Sequence, residues 1–165
     1  MIQSKHLRNL YIPLLLIAAL TALDQWTKAL AVHSLKGHED VILINHVLQL
    51  RYIENRGAAF GILQNSRVFF IILTVIVLAG AVIIYTRYCL NNRPHVIVVL
   101  LFSVLMAGAI GNLIDRAVHG YVVDFIYFSL IDFPVFNAAD IYITCGCIIT
   151  LLYVLISDKT NDHTV

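Results

Sequence analysis

The chain has 165 residues, of which 60% are hydrophobic and 13% are charged, with a formal net charge of +1 at pH 7. This composition is too apolar for an ordinary soluble domain and indicates one domain in a lipid bilayer. The near-zero net charge excludes a nucleic-acid-binding protein, because such a protein concentrates basic residues on one face to neutralise phosphates.

Four apolar runs are long enough to cross a membrane, since a spanning helix needs roughly 20 residues. They cover residues 10–32, 68–85, 95–114 and 138–156. The first run follows basic residues, as a secretory signal would, but it is longer than a signal core and carries Asp24 and Lys28 near its end. We therefore interpret it as a retained helix and expect one domain over 1–165, with a disordered polar tail at 158–165.

Basic residues predict the orientation of these four helices. Lys5 and Arg8 precede the first run, Arg87 and Arg93 lie between the second and third, and Lys159 follows the fourth. Because lysine and arginine accumulate in cytoplasmic flanks, we expect both termini in the cytoplasm. The two longer connections are then extracytoplasmic.

These two outer connections are rich in β-branched and aromatic residues. The first contains VILINHVLQLRYI and the second VVDFIYFSLIDF, each with patches of apolar and polar alternation. We expect the two segments to pair as a small antiparallel sheet at the membrane surface, with Pro134 ending the second. The predicted fold class is therefore an all-α integral membrane protein with four transmembrane helices and a small extracytoplasmic β-sheet.

Ionisable residues near a membrane helix need a partner, a water-filled cavity or a function. Asp24 and Lys28 stand four residues apart at the outer end of the first predicted span, on one face of the helix, where they can pair. We interpret them as a structural ion pair that fixes the end of this helix.

The third predicted span ends in AGAIGNLIDR. Ala107 and Gly111 form a small-xxx-small pair that allows close approach by another helix, which brings Asn112 beside that neighbour. Asp115 and Arg116 follow at the same helix end. We interpret Asp115 structurally, with Asp115 and Arg116 forming an interfacial ion pair with each other or with lipid phosphate.

Two further aspartates reach the outer membrane interface. Asp124 lies in the apolar segment GYVVDFI, and Asp140 lies in the first turn of the fourth helix, which Asn137 is positioned to cap. An apolar strand disfavours an ionised carboxylate and a helix N-terminus favours it, so their proton affinities should differ. Two carboxylates that share a proton can hydrolyse a peptide bond, although these residues alone favour an ordinary interfacial role.

The segment YIENRGAAFGIL joins the first outer strand segment to the second span. Gly57 and Gly61, among small alanines, predict a tight turn close to other backbone in the outer leaflet. Asn55 at the start of this turn can either hydrogen-bond a substrate backbone or close the turn.

The sequence indicates no other nucleophile and no metal site. It lacks GxSxG, HExxH and any Cys/His cluster of zinc spacing. The odd number of cysteines, Cys89, Cys145 and Cys147, indicates small apolar packing residues and no disulfide framework. No cofactor is expected.

Two other functions are compatible with the outer aspartates. A small transporter could bind cations or relay protons there, but it would need polar residues deep in several spans, and the second span has only Thr74. A metal-dependent lipid-headgroup enzyme could use Asp115, His119 and Asp124, but the dense acidic spacing typical of divalent-ion sites is missing.

Five segments follow one another along the chain: DQWTK, NRGAAFG, GAIGNLIDR, VVDFI and FNAAD. Together, and over nearly the whole chain, they resemble the bacterial lipoprotein signal peptidase family, also called signal peptidase II. It implies an aspartic endopeptidase with Asp124 and Asp140 as the catalytic pair. It further implies that four polar residues contact substrate or support the site, namely Asn55, Asn112, Arg116 and Asn137.

The same resemblance implies the substrate and the location. The substrates would be diacylglyceryl-modified prolipoproteins, cut just before the lipidated cysteine, and globomycin-like cyclic peptides would inhibit the enzyme. A short extracytoplasmic loop or helix would cover the site. The protein would be a multi-pass protein of the bacterial cytoplasmic (inner) membrane, in contact with membrane lipid and with its active site at the outer leaflet.

Overall fold

The computed structural model describes residues 2–57, 63–91 and 94–162. In chain order the elements are helix α1 (Ile2–Leu35), strands β1 (Val41–Ile44) and β2 (Leu48–Asn55), helices α2 (Arg67–Asn91) and α3 (Val96–Val118), strand β3 (Val122–Phe128), a short 3₁₀ turn (Ser129–Ile131) and helix α4 (Ala138–Asp162). The architecture is thus mainly helical, with one small sheet.

All four predicted spans are confirmed as long apolar helices. The segments long and apolar enough to cross a membrane are Leu10–Leu35, Arg67–Asn91, Val96–Val118 and Ala138–Ser157. Each helix extends past its predicted C-terminal boundary, because backbone hydrogen bonding does not stop where the hydrocarbon core ends. Helix α4 continues through Asp162, beyond the start of the tail predicted at 158–165, and residues 163–165 lie outside the described part of the chain.

Helix α3 is the centre of the fold and packs against α1, α2 and α4. The predicted close approach at its small residues is confirmed, since Ala107 is fully buried and a side chain at Gly111 would collide with Asp24 of α1. On the other side, a Cβ atom at Gly108 would lie only 2.6 Å from the Ala139 carbonyl oxygen of α4. Small residues of α3 therefore bring α1 and α4 to the same end of the molecule.

The sheet is antiparallel with strand order β1-β2-β3. The prediction of two paired segments was wrong in one respect, because VILINHVLQLRYI forms a hairpin by itself and the sheet has three strands. The chain reverses at His46, whose φ of 58° lies in the left-handed region, and Val47 N–H donates to the Ile44 carbonyl oxygen at 3.0 Å.

Strand β3 ends earlier than expected. The regular strand stops at Phe128, and a 3₁₀ turn precedes Pro134, so proline does not end the strand. The chain then returns to the sheet through an antiparallel bridge between Ile126 and Phe136. This return places the start of α4 directly beside β3.

Candidate active site

Helix α4 begins with reciprocal hydrogen bonds between Asn137 and Asp140. Asn137 Oδ1 accepts from the Asp140 backbone N–H at 3.1 Å, and Asp140 Oδ2 accepts from the Asn137 backbone N–H at 3.1 Å. This capping box satisfies donors that have no partner in the first helical turn. The predicted cap at Asn137 is confirmed, and it fixes the Asp140 carboxylate at the helix end that adjoins the sheet.

Asp124 is held by amides from two elements. In the register of β2 and β3, Ile53 lies opposite Asp124. Asn55, further along β2, donates from Nδ2 to Asp124 Oδ2 at 2.8 Å, and Asn137 donates from Nδ2 to Asp124 Oδ1 at 2.6 Å. Each oxygen of this carboxylate, which is only 2% exposed, is therefore fixed by a side-chain donor.

Two asparagines connect the two aspartates. Asn137 contacts Asp124 through its side chain and Asp140 through its backbone. Asn112 of α3 donates from Nδ2 to Asp140 Oδ1 at 2.8 Å, and its Oδ1 accepts from Asn137 Nδ2 at 3.3 Å. Both carboxylates line a single cavity of about 220 Å³. The structure thus brings together the aspartates and amides that the sequence analysis selected.

Burial raises the pKa of Asp124 to about 7, and the nearby charge of Asp140 contributes to the same rise. Hydrogen bonds from Asn55 and Asn137 and the positive charge of Lys28 oppose this shift in pKa. The upward direction is the one predicted for an aspartate in an apolar strand. Asp124 can consequently hold a proton near neutral pH, which an ordinary surface aspartate cannot.

Asp24 and Lys28 form the predicted ion pair, with Lys28 Nζ 2.9 Å from Asp24 Oδ2. The pair is not at the end of α1, however, because the helix continues to Leu35 and both side chains are buried. Lys28 Nζ also lies 3.1 Å from Asp115 Oδ2 and donates to Asn112 Oδ1 at 2.9 Å. The cation therefore joins α1 to the end of α3.

Of the two partners considered for Asp115 and Arg116, which were each other and lipid phosphate, the structure does not show the first, and Asp115 forms its ion pair with Lys28 instead. Adjacent residues point to different sides of a helix, so Asp115 faces inward to Lys28 while Arg116 faces the cavity. Arg116 donates to the Gly57 carbonyl oxygen at 3.2 Å, and its guanidinium lies 4.9 Å from the centre of the Phe70 ring. Arg116 thus contacts the cavity residues and the start of the loop after β2.

Among the polar residues of this region, sequence reasoning missed Gln25 and Thr144. Gln25 donates from Nε2 to Asp115 Oδ1 at 2.9 Å and to the Gly111 carbonyl oxygen at 3.2 Å, and its only signal was its place in the segment DQWTK. Thr144 lines the cavity one helical turn after Asp140, a position that the helical period could have indicated.

Most of the predicted turn or covering loop over the site lies outside the described part of the chain. The GAAFG segment begins at Gly57, whose backbone N–H donates to Asn55 Oδ1 at 3.0 Å. Residues 58–62 lie outside the described part of the chain. Two roles were considered for Asn55, and this bond to Oδ1 corresponds to closing the turn. The Nδ2 atom of the same side chain donates to Asp124.

The sequence matches known proteins over most of its length. The family model for signal peptidase (SPase) II matches residues 16–156. The chain is 47% identical to a lipoprotein signal peptidase of Brevibacillus brevis over 147 residues, which is 89% of this chain and 97% of that protein. It is 39% identical to a lipoprotein signal peptidase of Streptococcus thermophilus over 157 residues, 95% of this chain and 99% of that protein.

Two solved structures share the fold. Both are bacterial membrane enzymes determined by the in meso method, at 2.3 Å and 1.9 Å resolution. The first superposes with a TM-score of 0.80 at 34% identity and covers 92% of each chain. The second superposes with a TM-score of 0.76 at 34% identity, covering 88% of this chain and 94% of the other. The chain therefore belongs to the signal peptidase II family, the lipoprotein signal peptidases.

Proposed function

We propose that this protein is an intramembrane aspartic endopeptidase that removes the signal peptide from diacylglyceryl-modified prolipoproteins and cuts before the lipidated cysteine. One observation carries the proposal: Asp124 and Asp140 line the same cavity and are joined by Asn137 and Asn112. Family membership supplies the substrate class. The geometry supplies the two acids that hydrolysis without a covalent intermediate requires.

The proposed reaction uses one proton shared between the two carboxylates. The ionised aspartate takes a proton from water, and the hydroxide oxygen forms a bond to the scissile carbonyl carbon. The protonated aspartate donates its proton to the carbonyl oxygen, giving a neutral tetrahedral diol. In the collapse of the diol, one hydroxyl group returns a proton to the aspartate that had protonated the carbonyl oxygen, and the carbon–oxygen double bond forms again. The carbon–nitrogen bond breaks, and the leaving amine takes from the other aspartate the proton that came from water, so the pair again holds one shared proton. The raised pKa of Asp124 supports the sharing of one proton by this pair near neutral pH.

Four side chains around the dyad have supporting or substrate-binding roles in this proposal. Asn112 and Asn137 fix the carboxylates, and Asn55 fixes Asp124 from the sheet. Arg116 lines the cavity beside them and is positioned to hydrogen-bond the carbonyl groups of an extended substrate. A cyclic peptide of the globomycin kind would inhibit by occupying this same cavity.

The proposed location is the bacterial cytoplasmic membrane, with both termini in the cytoplasm and the dyad at the outer leaflet. The distribution of lysine and arginine supports this orientation. A substrate that carries a diacylglyceryl group stays in the membrane, so the enzyme has to meet it at the interface. Water reaches the aspartates from the aqueous side while the apolar signal segment remains in lipid.

The test is cleavage of a synthetic prolipoprotein peptide by the purified full chain in detergent. A diacylglyceryl-modified peptide should be cut before its modified cysteine, and the matched peptide with a free cysteine should be cut far more slowly. Equal cleavage of both peptides would contradict the proposed specificity. Loss of activity on addition of a strong chelator would contradict a purely aspartic mechanism.

A further inference from the structure

The residues that precede the two aspartates are held in the same way. Val123 precedes Asp124, and its backbone N–H donates to Asp115 Oδ2 at 3.0 Å. Ala139 precedes Asp140, and its backbone N–H donates to Asp24 Oδ1 at 3.0 Å. Each backbone segment that carries an aspartate is therefore tied to a buried carboxylate.

One ammonium group joins these two buried carboxylates. Lys28 Nζ lies 2.9 Å from Asp24 Oδ2 and 3.1 Å from Asp115 Oδ2. Its third partner is Asn112 Oδ1 at 2.9 Å. A lysine ammonium has three N–H donors and no acceptor, so these contacts use its whole hydrogen-bonding capacity. The Lys28 side chain is only 3% exposed, which leaves water no access to compete for these bonds.

We propose that Lys28 is a positioning residue for peptide hydrolysis, whose ammonium sets the separation of Asp124 and Asp140 by holding the backbone beside each of them through Asp115 and Asp24. This inference rests on the proposed function of the dyad and goes beyond the structural ion pair expected from sequence. Lys28 itself does not touch substrate.

The third contact of the ammonium acts on Asp140 directly. An asparagine amide can present either its oxygen or its nitrogen to a neighbour. Because Lys28 requires an acceptor, Asn112 turns Oδ1 toward the cation and Nδ2 toward Asp140 Oδ1, where the amide donates at 2.8 Å. With an apolar residue at position 28, only the longer bond from Asn137 Nδ2 to Asn112 Oδ1, at 3.3 Å, would still favour this orientation.

A need for stability alone does not account for such a cluster. Replacing a buried ion network by apolar residues of similar volume is often neutral or stabilising, whereas a charged network fixes specific geometry only when every member is paired. Among the described residues, no buried side-chain nitrogen or oxygen lacks a hydrogen-bond partner. The ammonium is suited to this position because it directs three bonds to three acceptors at once.

The test compares Lys28→Met with wild type in turnover of the lipidated peptide, measured per folded molecule. Misplacing reacting groups by about 1 Å can cost about 10²-fold in rate, so we expect kcat to fall by about that factor with KM within about twofold. The matched control is Lys36→Met. Lys36 forms an exposed pair with Glu54 at 2.9 Å, and its loss should leave kcat unchanged.

The pH profile separates positioning from mere stabilisation. The charged groups that act on Asp124 are Asp140 of α4, Lys28 of α1 and Arg116 of α3, and the carboxylate of Asp115 accepts from the neighbouring Val123 N–H. The Lys28 charge lowers the pKa of Asp124, so Lys28→Met should move the limb of the profile that Asp124 controls to higher pH. A lower melting temperature with wild-type kcat and an unchanged profile would overturn the proposal.

A second variant keeps the proposal testable if Lys28→Met does not fold. Lys28→Met leaves two buried carboxylates without their cation, whereas Lys28→Met combined with Asp115→Asn keeps the net charge of the Asp24, Lys28 and Asp115 cluster at its original value. The amide oxygen introduced by Asp115→Asn can still accept from Val123, and the same fall in kcat is expected. If neither variant folds, Lys28→Arg decides: it keeps the charge but cannot direct three bonds from one atom, and wild-type kcat in it would overturn the proposal.

Backbone hydrogen exchange gives a readout that does not depend on catalysis. In Lys28→Met the amides of Val123 and Ala139 should both exchange faster, because their carboxylate acceptors are no longer fixed. Unchanged exchange at both amides would overturn the positioning role even if activity fell. Faster exchange in a protein whose wild type does not cleave the lipidated peptide would instead reject the proposed function and still support the role of Lys28 in fixing these two backbone segments.

Discussion

Two cavities lie on one face of helix α3, and they are built by different forces. Asn112 and Arg116 contribute to the cavity of the aspartates, while Val98, Leu101 and Leu105 line an apolar cavity of about 490 Å³ between α2, α3 and α4. These residues recur at helical spacing along the same stripe of α3. The same stripe of α3 therefore lines both cavities, with polar side chains at one and apolar side chains at the other.

Hydrogen bonds fix the side chains around the polar cavity, whereas van der Waals packing fixes those around the apolar cavity. Around the aspartates, each amide has defined donors and acceptors at 2.6 to 3.3 Å. Around the apolar cavity, Tyr85 stacks on Phe102 with ring centroids 4.0 Å apart, and Cys89 and Val99 pack beside them. Because hydrogen bonds require particular atoms and packing requires mainly volume, the two cavities should differ sharply in their tolerance of substitution.

The largest effect should come from Asp124→Asn or Asp140→Asn. Asparagine is nearly isosteric, but it can neither activate water nor share a proton. General acid–base help is worth about 10²–10⁴-fold, and loss of both tasks should reach the upper end of that range or exceed it. The measurement is turnover of the lipidated peptide by folded protein.

The variant that carries both Asp124→Asn and Asp140→Asn sharpens this prediction. Because the effects of residues that act as a unit are not additive, its turnover should be hardly lower than that of either single variant. The control is Asp40→Asn, which removes an exposed carboxylate paired with Arg51 and should leave turnover unchanged. Substantial residual turnover in either single dyad variant would reject the assignment of that aspartate.

Asn112→Ala should have the next largest effect. It removes the donor to Asp140 and the acceptor of Lys28 without removing either carboxylate. A hydrogen bond to a charged group is worth about 1.5–3 kcal/mol, so turnover in folded protein should fall by about 10- to 10²-fold. Asp24→Asn should chiefly lower thermal stability, because the asparagine oxygen can still accept from Ala139. That oxygen cannot also keep the carboxylate contact with Lys28, so a smaller fall in turnover than in Asn112→Ala is expected as well. Abolished turnover with normal stability in Asp24→Asn would contradict this division of roles.

A smaller effect should appear in the pH dependence of stability. The pKa of Asp124 is raised to about 7 from its ordinary value of 3.8, so the folded state binds more protons than the unfolded state between these values. Wild-type stability should therefore fall as pH rises through this window, by at most about 1.4 kcal/mol per pH unit from this group. The measurement is thermal unfolding of wild type and Asp124→Asn at several pH values. The difference in their free energies of unfolding should change across this window and stay constant above it.

The smallest effect should come from the apolar cavity. Leu105→Met conserves volume next to Gly146, where packing is close, and should cost less than about 1.5 kcal/mol of stability. Turnover should stay within about twofold, measured with the same lipidated peptide. A loss of turnover as large as that of Asn112→Ala would show that the two cavities are not independent.

The sequence was sufficient for features that depend on local pattern. Apolar run length predicted the four helices, and Asn137 three residues before Asp140 predicted the cap, because both signals lie within one element. The pair of Asp24 and Lys28 followed from i, i+4 spacing for the same reason. The assignment of Asp124 and Asp140 needed the family resemblance, since the residues alone favoured an interfacial role.

Features that depend on contacts between elements were not predictable. The partner of Asp115 comes from α1, 87 positions earlier in the chain than Asp115 itself, so neighbouring sequence pointed to Arg116 instead. Gln25 is half-buried and donates to two groups on α3, and those contacts between helices have no signal in the sequence around Gln25. The hairpin depended on His46 adopting a left-handed conformation, which non-glycine residues seldom adopt.

The position of Asp24 and Lys28 on one helix also bears on how the chain enters the membrane. Helix α1 is synthesised before the residues of α3 and α4 that surround these charges in the folded protein. Since the two are 2.9 Å apart within α1, the helix can insert with its cation and anion already neutralised, at a lower cost than two separate charges. We expect isolated α1 to integrate less efficiently in a translocon insertion assay when Lys28 alone is replaced by leucine, and to recover when Asp24 is replaced as well. Equal integration of all three segments would show that the early pair has no role in biogenesis.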